Sequence, residues 1–229
     1  MSLGLRQYRA MVRKDIIAEL RTKEMVVSMF LFVVLAMIVF HYAFTVRGSV
    51  RMSLLTGGML WVVFLFGALL GLNRSFVHEK DEGCLDGLLL CPVDRVTIFL
   101  SKMTANLLFL VLIQLLAVPV FLVFFSTSGV VSDLPALLVV VVVADVGITT
   151  LGTLLATISM NTRSRDLLLP IIFLPLIIPL LIAAASGTAK VFNGDAALSS
   201  LLGVLAFLVV YDAVFLVLAY GTYDFAIGE

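Results

Sequence analysis

The chain has 229 residues, of which 62% are hydrophobic and 13% are charged, and its mean hydropathy is +1.19. A water-soluble globule of this size cannot cover its surface with so few polar side chains, so the composition excludes a soluble protein and predicts a polytopic membrane protein. Lysine plus arginine and aspartate plus glutamate both number 15, so no net positive charge is available to attract nucleic acid, and none is expected as a partner.

Residues 1–24 are the first predicted element, and their pattern is that of a helix lying on the membrane surface. Apolar side chains recur near helical spacing, with lysine and arginine side chains between them. A helix with this distribution keeps its apolar side chains among lipid tails while its cations reach the headgroups. The apolar positions are Leu5, Tyr8, Val12, Ile16 and Leu20, and the cationic positions are Arg6, Arg9, Arg13, Lys14, Arg21 and Lys23.

Six apolar runs follow, and each is long enough as a helix to cross about 30 Å of hydrocarbon. The segments between them are too short for a soluble domain, so we expect one transmembrane domain over residues 1–229. The fold class is therefore an all-α membrane protein with six spans. The runs are 25–44, 52–72, 107–125, 136–157, 167–185 and 198–220.

The segment 73–102 is the main polar interruption between these runs. Its first part, 74–82, is dense in charge and must lie in water or at the headgroups. In the middle, Leu85, Leu88 and Leu89 are spaced i, i+3 and i+4, which predicts a short helix with a small apolar stripe suited to a groove in a partner. Pro92 ends this segment because proline disfavours helical geometry in the preceding residue. A new helix is expected from Arg95, running through Lys102 into the next apolar run, with Asp94 as its cap.

The order of residues in this loop resembles the first cytosolic loop of ABC-2-type exporter permeases. In that family the loop forms a coupling helix, which docks in a groove of a separate ATPase subunit and transmits its closure to the spans. The resemblance also implies a type V exporter-like permease whose N-terminal helix is the connecting helix. An ordinary interhelical loop is the alternative. The matching positions are Glu82, Gly83, Leu85, Leu88, Leu89, Pro92, Arg95 and Lys102, with Asp86 as a second acid beside the leucine stripe.

The distribution of positive charge predicts the orientation. Twelve of the lysine and arginine residues lie in segment 1–24, in segment 73–102 and at Arg163 and Arg165, whereas three lie on the other side, at Arg47, Arg51 and Lys190. Loops rich in lysine and arginine stay in the cytoplasm. Both termini and the coupling loop are therefore expected there, with residues 186–197 as a short external segment.

The fifth run is unusual because Pro170, Pro175 and Pro179 interrupt it. Each proline removes one helical hydrogen bond and favours a kink. A carbonyl freed inside a bilayer is tolerated only where protein or water covers it, so we expect Pro175 and Pro179 to form a bend packed against neighbouring helices. The sequence around them, LPLIIPLLI at 174–182, resembles the fifth span of the CcmB family, the haem exporter B subunits of cytochrome c maturation.

This second resemblance implies a permease subunit in c-type cytochrome biogenesis, acting by haem export or by ATP-driven release of a haem-loaded chaperone. Haem would be a transported substrate, no cofactor would be bound covalently, and ATP would act only through the partner. The implied partners are a CcmA-like ABC ATPase, a second copy of this chain, and haem-handling membrane proteins similar to CcmC and CcmD. The location is the bacterial inner membrane, with an organellar membrane as the other option.

Two alternatives remain open at this point: an ABC-2 permease for a drug, lipid or polysaccharide, and a non-conducting scaffold for cytochrome c maturation. No Gly-x-x-x-x-Gly-Lys-[Ser/Thr] sequence is present, so the chain lacks a P-loop and ATP hydrolysis is expected in a separate subunit. Since the motifs of zinc proteases and serine hydrolases are also missing, we expect neither an enzyme nor a metal site.

Polar residues inside the spans are further candidates, because a carboxylate at the centre of a membrane helix costs about 2.5–3.5 kcal/mol on insertion scales. Asp145 in the fourth run is the deepest, with Asp212 in the sixth and Gln114 in the third. A structural hydrogen bond from Asp145 to Thr149 or to another helix is one interpretation, and a role in a substrate path is the other. Glycine pairs at 67 and 71 and at 147 and 152 favour close helix packing, within one subunit or across a dimer.

Overall fold

The computed structural model describes residues 3–45, 52–81, 93–125, 133–160 and 165–227. Within these ranges the chain forms seven α-helices and no strand, and six of the helices are long and apolar enough to cross a membrane. The predicted all-α fold with six spans is thereby confirmed. The helices are α1 (Leu3–Thr22), α2 (Glu24–Thr45), α3 (Met52–Asp81), α4 (Arg95–Phe125), α5 (Leu134–Met160), α6 (Arg165–Phe192) and α7 (Leu198–Ile227).

The helical state of α5 illustrates why the membrane decides secondary structure here. Five consecutive valines, 139–143, lie in its first half, and such a β-branched run favours a strand in water. Hydrocarbon offers no hydrogen-bond partner to a backbone group, so a single segment can satisfy its own backbone only as a helix. The intrinsic preference of valine is therefore overridden.

Helices α3 and α5 occupy the centre of the bundle. α5 packs against α3, α4, α6 and α7, and α3 packs against α2, α4, α5 and α6. The spans of α2 and α7 are largely exposed at the periphery. Most of the buried apolar side chains belong to one continuous cluster, which includes Trp61, Phe64, Ile148, Phe173 and Ile177.

The glycines of α3 lie where α2 comes close. A Cβ atom on Gly67 would lie 2.9 Å from Cγ2 of Val33, and one on Gly71 would lie 2.5 Å from Sδ of Met29. A Cβ on Gly152 of α5 would lie 2.3 Å from Cδ1 of Leu72 in α3. These small residues therefore serve packing inside one subunit, which decides between the two roles that the sequence allowed.

Helices α1 and α2 meet at Lys23, whose φ of +55° is left-handed. A residue in this conformation commonly ends a helix. Its N–H donates to the carbonyl of Glu19 (2.6 Å), and its own carbonyl accepts from the N–H of Val27 (3.0 Å). The Glu19 carboxylate also accepts from the N–H of Val26 (2.9 Å) and so caps the start of α2. The two helices are joined at a defined corner with no intervening linker.

The helix expected from Arg95 is confirmed, because α4 begins there and continues through Lys102 into the third span. One boundary differs from the sequence expectation. α6 extends to Phe192, whereas residues 186–197 were expected as an external connection. Its last two turns pack in the bundle, since Thr188, Ala189 and Val191 are buried. Alanine and small polar residues continue a helix readily when tertiary contacts cover them, which hydropathy alone does not detect.

The prolines of α6 correct another expectation. The helix is continuous through Pro170, Pro175 and Pro179, and Pro175 and Pro179 lie on its exposed side with Ile171 and Ile178. The prediction that they pack against neighbouring helices is therefore wrong for contacts within this chain. Residues four apart share a helix face, and the opposite face, which packs against α3 and α5, carries the larger side chains Phe173, Ile177 and Leu180.

Candidate functional site

The candidate site is the end of the bundle at which α3 ends and α4 begins, called the loop end below. Most of the predicted ATPase-coupling residues lie outside the described residues, namely Glu82, Gly83, Leu85, Asp86, Leu88, Leu89 and Pro92. What the structure describes is the support on both sides of that loop. α4 begins at Arg95, and the carbonyl of Asp94 accepts from the N–H of Ile98 (3.2 Å), so Asp94 occupies the cap position.

Helix α1 is bound side by side to the first part of α4. The hydroxyl of Tyr8 donates to Oγ1 of Thr104 (2.8 Å). One turn further along α1, Met11 is buried against Ser101. Asp15 then accepts from Nζ of Lys102 at 2.8 Å. The predicted helix is therefore present, but part of the surface assigned to lipid packs on protein, while Leu5 and Leu20 are exposed.

Helices α2 and α3 are connected at the same end by Arg74. Its guanidinium forms an ion pair with Glu24 at the start of α2. It also donates to Oγ of Ser28 at 3.1 Å, one turn further along α2. These groups are exposed, so the pair contributes little to stability, but it defines the register of the two helices where α3 leads into the loop.

Inside the bundle, α4 and α5 share two polar contacts. Nε2 of Gln114 donates to Oδ1 of Asp145 (2.9 Å), and both side chains are buried. Nearer the loop end, Nδ2 of Asn106 donates to Oγ1 of Thr153 (3.2 Å). The sequence identified Gln114 and Asp145 as separate candidates, and the structure brings them together. Thr149 donates instead to the backbone carbonyl of Asp145 (2.7 Å).

Asp212, the third polar candidate, lies apart from this pair. It is buried on α7, and its Oδ1 lies 2.4 Å from where a Cβ of Gly147 would be, on α5. Residues 145 and 147 point to nearly opposite sides of a helix, so α5 separates Asp212 from Gln114. No donor among the described residues reaches Oδ1 of Asp212 or Oδ2 of Asp145. The three candidates therefore form two interhelical contacts.

One buried polar contact was missed by sequence reasoning. Nε1 of Trp61, on α3, donates to Oγ1 of Thr188 on α6 (2.9 Å), and both side chains are buried. The signal was available, because Trp61 is the single tryptophan of the chain and a buried indole N–H normally finds an acceptor. The identity of the acceptor required the tertiary structure.

A small cavity lies among α2, α3, α4 and α5. Its volume is about 10 Å³, and its lining includes Met25, Met29, Gly71, Asn106 and Thr149. That volume suits one water molecule. This cavity is therefore too small to hold a haem-sized molecule.

Comparison with known proteins gives a consistent result. A family model described as CcmB protein matches residues 6–227. Three curated relatives are named heme exporter protein B: one from Rhodobacter capsulatus is 29% identical over 158 residues, covering 66% of this chain and 70% of the relative. The relative from Pseudomonas aeruginosa is 27% identical, with 64% and 65% covered. The relative from Paracoccus denitrificans is 30% identical, with 61% and 63% covered. The matched part thus spans less than two thirds of the latter two proteins.

Proposed function

Since this chain belongs to the CcmB protein family, we propose that it is the membrane permease subunit of an ABC transporter that exports haem in c-type cytochrome biogenesis. The observation that carries this proposal is the family match over residues 6–227, which includes all six candidate spans. The names of the three relatives support haem as the substrate. The chain is then a transporter component, and the energy comes from ATP hydrolysed by another subunit.

The direct test is complementation. A bacterium deleted for its own CcmB gene is expected to lose c-type cytochromes, and this chain, expressed with its ATPase partner, is expected to restore them. Haem-stained gels of membrane fractions measure the recovery. If the chain instead caused export of a drug, lipid or polysaccharide without cytochrome maturation, it would be an ABC-2 permease for another substrate.

The ATPase partner is proposed to dock on residues 81–90. Changing Leu85 and Leu88 together to Asp places two charges in the predicted apolar stripe, so co-purification with the ATPase is expected to be lost while membrane insertion is kept. Leu90→Asp is the matched control, because in a helix residue 90 lies on the side opposite to the stripe. Full ATPase capture by the double variant would contradict the proposal.

We further propose a homodimer in the bacterial inner membrane, beside CcmC- and CcmD-like proteins, with both termini in the cytoplasm. The excess of lysine and arginine at the loop end supports this orientation. Two differently tagged copies of the chain, expressed together, are expected to co-purify, and the haem-handling proteins are expected in the same fraction.

Reconstitution distinguishes two mechanisms, namely export of haem through the chain and release of a haem-loaded chaperone. In proteoliposomes containing this chain and its ATPase, ATP-dependent accumulation of haem would identify a conduit. Release requires the chaperone and its haem donor, so haem transfer that occurs only when both are added would identify the assembly role. Complementation without either activity would leave a non-conducting scaffold as the function.

A further inference from the structure

The ion pair between Asp15 and Lys102 stands out among the contacts of the loop end because Lys102 is almost completely enclosed, at 4% exposure. Its Nζ lies 2.8 Å from Oδ2 of Asp15. The other carboxylate oxygen, Oδ1, lies 3.2 Å from Nζ of Lys14, whose side chain is 45% exposed. Removing one partner of a buried ion pair leaves an uncompensated charge, which is strongly unfavourable. The pair is therefore a strong electrostatic contact between α1 and α4, whereas the Lys14 contact lies within α1 and is weak.

Tyr8, Met11 and Asp15 make the α1 side of this contact surface. They follow one another at spacings of three and four residues, so they form a single stripe along the helix. Their partners on α4 span less than one turn, from Ser101 to Thr104. Two turns of α1 are thus held against one turn of α4, and the last contact along α1 carries the charges.

The position of Lys102 in the chain connects this contact to the start of α4. It lies seven residues after Arg95, where α4 begins, which is about 10 Å along the helix axis. α4 is continuous over this distance, so a displacement at its first turn reaches Lys102 directly. α1 in turn ends at the corner formed by Lys23, where α2 begins.

We propose that the Asp15–Lys102 pair is a positioning contact that makes α1 and the first turns of α4 move as one body, so that motion of the loop at residues 82–92 is delivered to α1 and through it to α2. This inference rests on the proposed function, since the loop must receive force from an ATPase. Asp15 and Lys102 touch neither substrate nor nucleotide in this mechanism. Their role is to keep two helices in register.

The experiment compares four variants. Asp15→Asn removes the carboxylate that pairs with the buried Lys102, and it is expected to lower both the amount of permease in the membrane and the cytochrome output. The double variant D15N/K102M removes both charges of the pair, so it does not leave the cation without this carboxylate and is expected to keep the amount of permease. The exchange D15K/K102D restores an opposite-charge pair. Lys14→Met is the matched control, because it removes a lysine that contacts the same carboxylate from an exposed position.

Three quantities are measured: the amount of permease in the membrane, called the level, the capture of the ATPase, and the c-type cytochrome formed per unit of permease, called the output. For D15N/K102M we expect normal level and capture, with output reduced about fivefold or more, the lower end of typical coupling between sites. The charge exchange is expected to recover most of that output, and K14M to match the wild type. Wild-type output from D15N/K102M, or no recovery by the exchange at normal level and capture, would overturn the proposal.

A second readout does not depend on haem. With Cys84 and Cys91 changed to Ser, cysteines introduced at Tyr8 and Thr104 are expected to crosslink through a flexible bismaleimide. Adding D15N/K102M should slow the crosslink severalfold, and adding K14M should leave it unchanged. An unchanged rate in D15N/K102M would contradict the role of the pair. Failure of the wild-type chain to complement would contradict the proposed function while leaving this measurement intact.

Discussion

Gly147 is a residue at which α5, α6 and α7 approach one another closely. A Cβ atom there would lie 2.3 Å from Cδ1 of Leu180 and 2.4 Å from Oδ1 of Asp212. Such distances are not found for real side chains, so the side chains of Leu180 and Asp212 would have to move. Glycine at this position is therefore favoured by packing.

We expect Gly147→Ala to destabilise the protein by about 1–3 kcal/mol, the usual cost of overpacking a core. Gly203→Ala is the matched control, because Gly203 lies in α7 with nothing within 4 Å of its Cβ direction, and alanine favours a helix by up to about 1 kcal/mol over glycine. Thermal midpoints of the purified chain in detergent measure both. A Gly147→Ala midpoint at or above that of Gly203→Ala would show that α6 and α7 adapt without strain.

Gln114 gives a second test at the residue scale. Replacing it with Leu leaves Oδ1 of Asp145 without its donor, which is expected to cost about 1–2 kcal/mol, given the usual worth of interhelical bonds in membranes and the penalty of an unpaired polar group. Leu115→Ala, on the exposed side of the same helix (56% exposure), serves as the control. The thermal unfolding midpoints of the two variants in detergent test this expectation. Equal midpoints would mean that the Gln114 contact contributes no net stability.

At the scale of elements, α6 combines three prolines with a buried face that packs tightly. Pro175 and Pro179 cannot donate to the carbonyls of Ile171 and Pro175, four residues earlier. The hydroxyl of Tyr211, on α7, donates to the carbonyl of Leu176 (2.8 Å), within the same weakened turn. A neighbouring helix therefore supplies a donor to the backbone of α6 beside the carbonyl of Pro175 that loses its intrahelical donor.

Changing Pro175 and Pro179 together to Ala returns two backbone donors to α6. Because both side chains are on the exposed face, the packing inside the chain is kept, and the melting midpoint is expected to stay equal or rise. We expect c-type cytochrome maturation to fall while the ATPase still binds. The reason is that a straighter and stiffer α6 would bend less when the coupling loop moves.

Ile178→Ala removes a side chain of the same exposed face, 51% accessible, and keeps the prolines. It is the matched control for the double variant. Wild-type maturation with both prolines replaced would mean that they are dispensable for transport. A loss of equal size in Ile178→Ala would attribute the effect to the surface of α6 and not to its backbone.

For the whole molecule, the twelve-to-three distribution of lysine and arginine predicts which end of the bundle faces the cytoplasm. The best reporter at the opposite end is Asp195, which is exposed in the turn after α6. Lys190 is less suitable because its Nζ is partly buried and donates to the carbonyl of Ser200 (2.8 Å). Asp94, also exposed, reports on the loop end.

With Cys84 and Cys91 changed to Ser, an impermeant thiol reagent on intact cells is expected to label Asp195→Cys and not Asp94→Cys. Breaking the cells open should make both positions reactive, which controls for accessibility. The physical reason is the asymmetry of positive charge across the membrane. Labelling of Asp94→Cys alone in intact cells would reverse the proposed orientation.

The number and approximate limits of the spans followed from the sequence because the membrane makes each segment satisfy its backbone by itself, so hydropathy over about 20 residues is sufficient information. The predicted membership of the CcmB family, confirmed by the match over residues 6–227, likewise depended on residues close together in the chain. The glycines of α3, Asp145 and Gln114 were recognisable one by one, since glycines four residues apart favour close helix packing and strongly polar side chains are rare inside a span.

Only the tertiary structure decided which of these residues meet. Asp15 and Lys102 are 87 positions apart, and Trp61 and Thr188 are 127 apart, so no local pattern connects them. Lipid tails are as apolar as leucine, and hydropathy therefore cannot tell a helix face that packs on protein from one that faces lipid. For the same reason the exposed position of Pro175 and Pro179, and the buried last turns of α6, became visible only once seven helices were packed together within the described part of the chain.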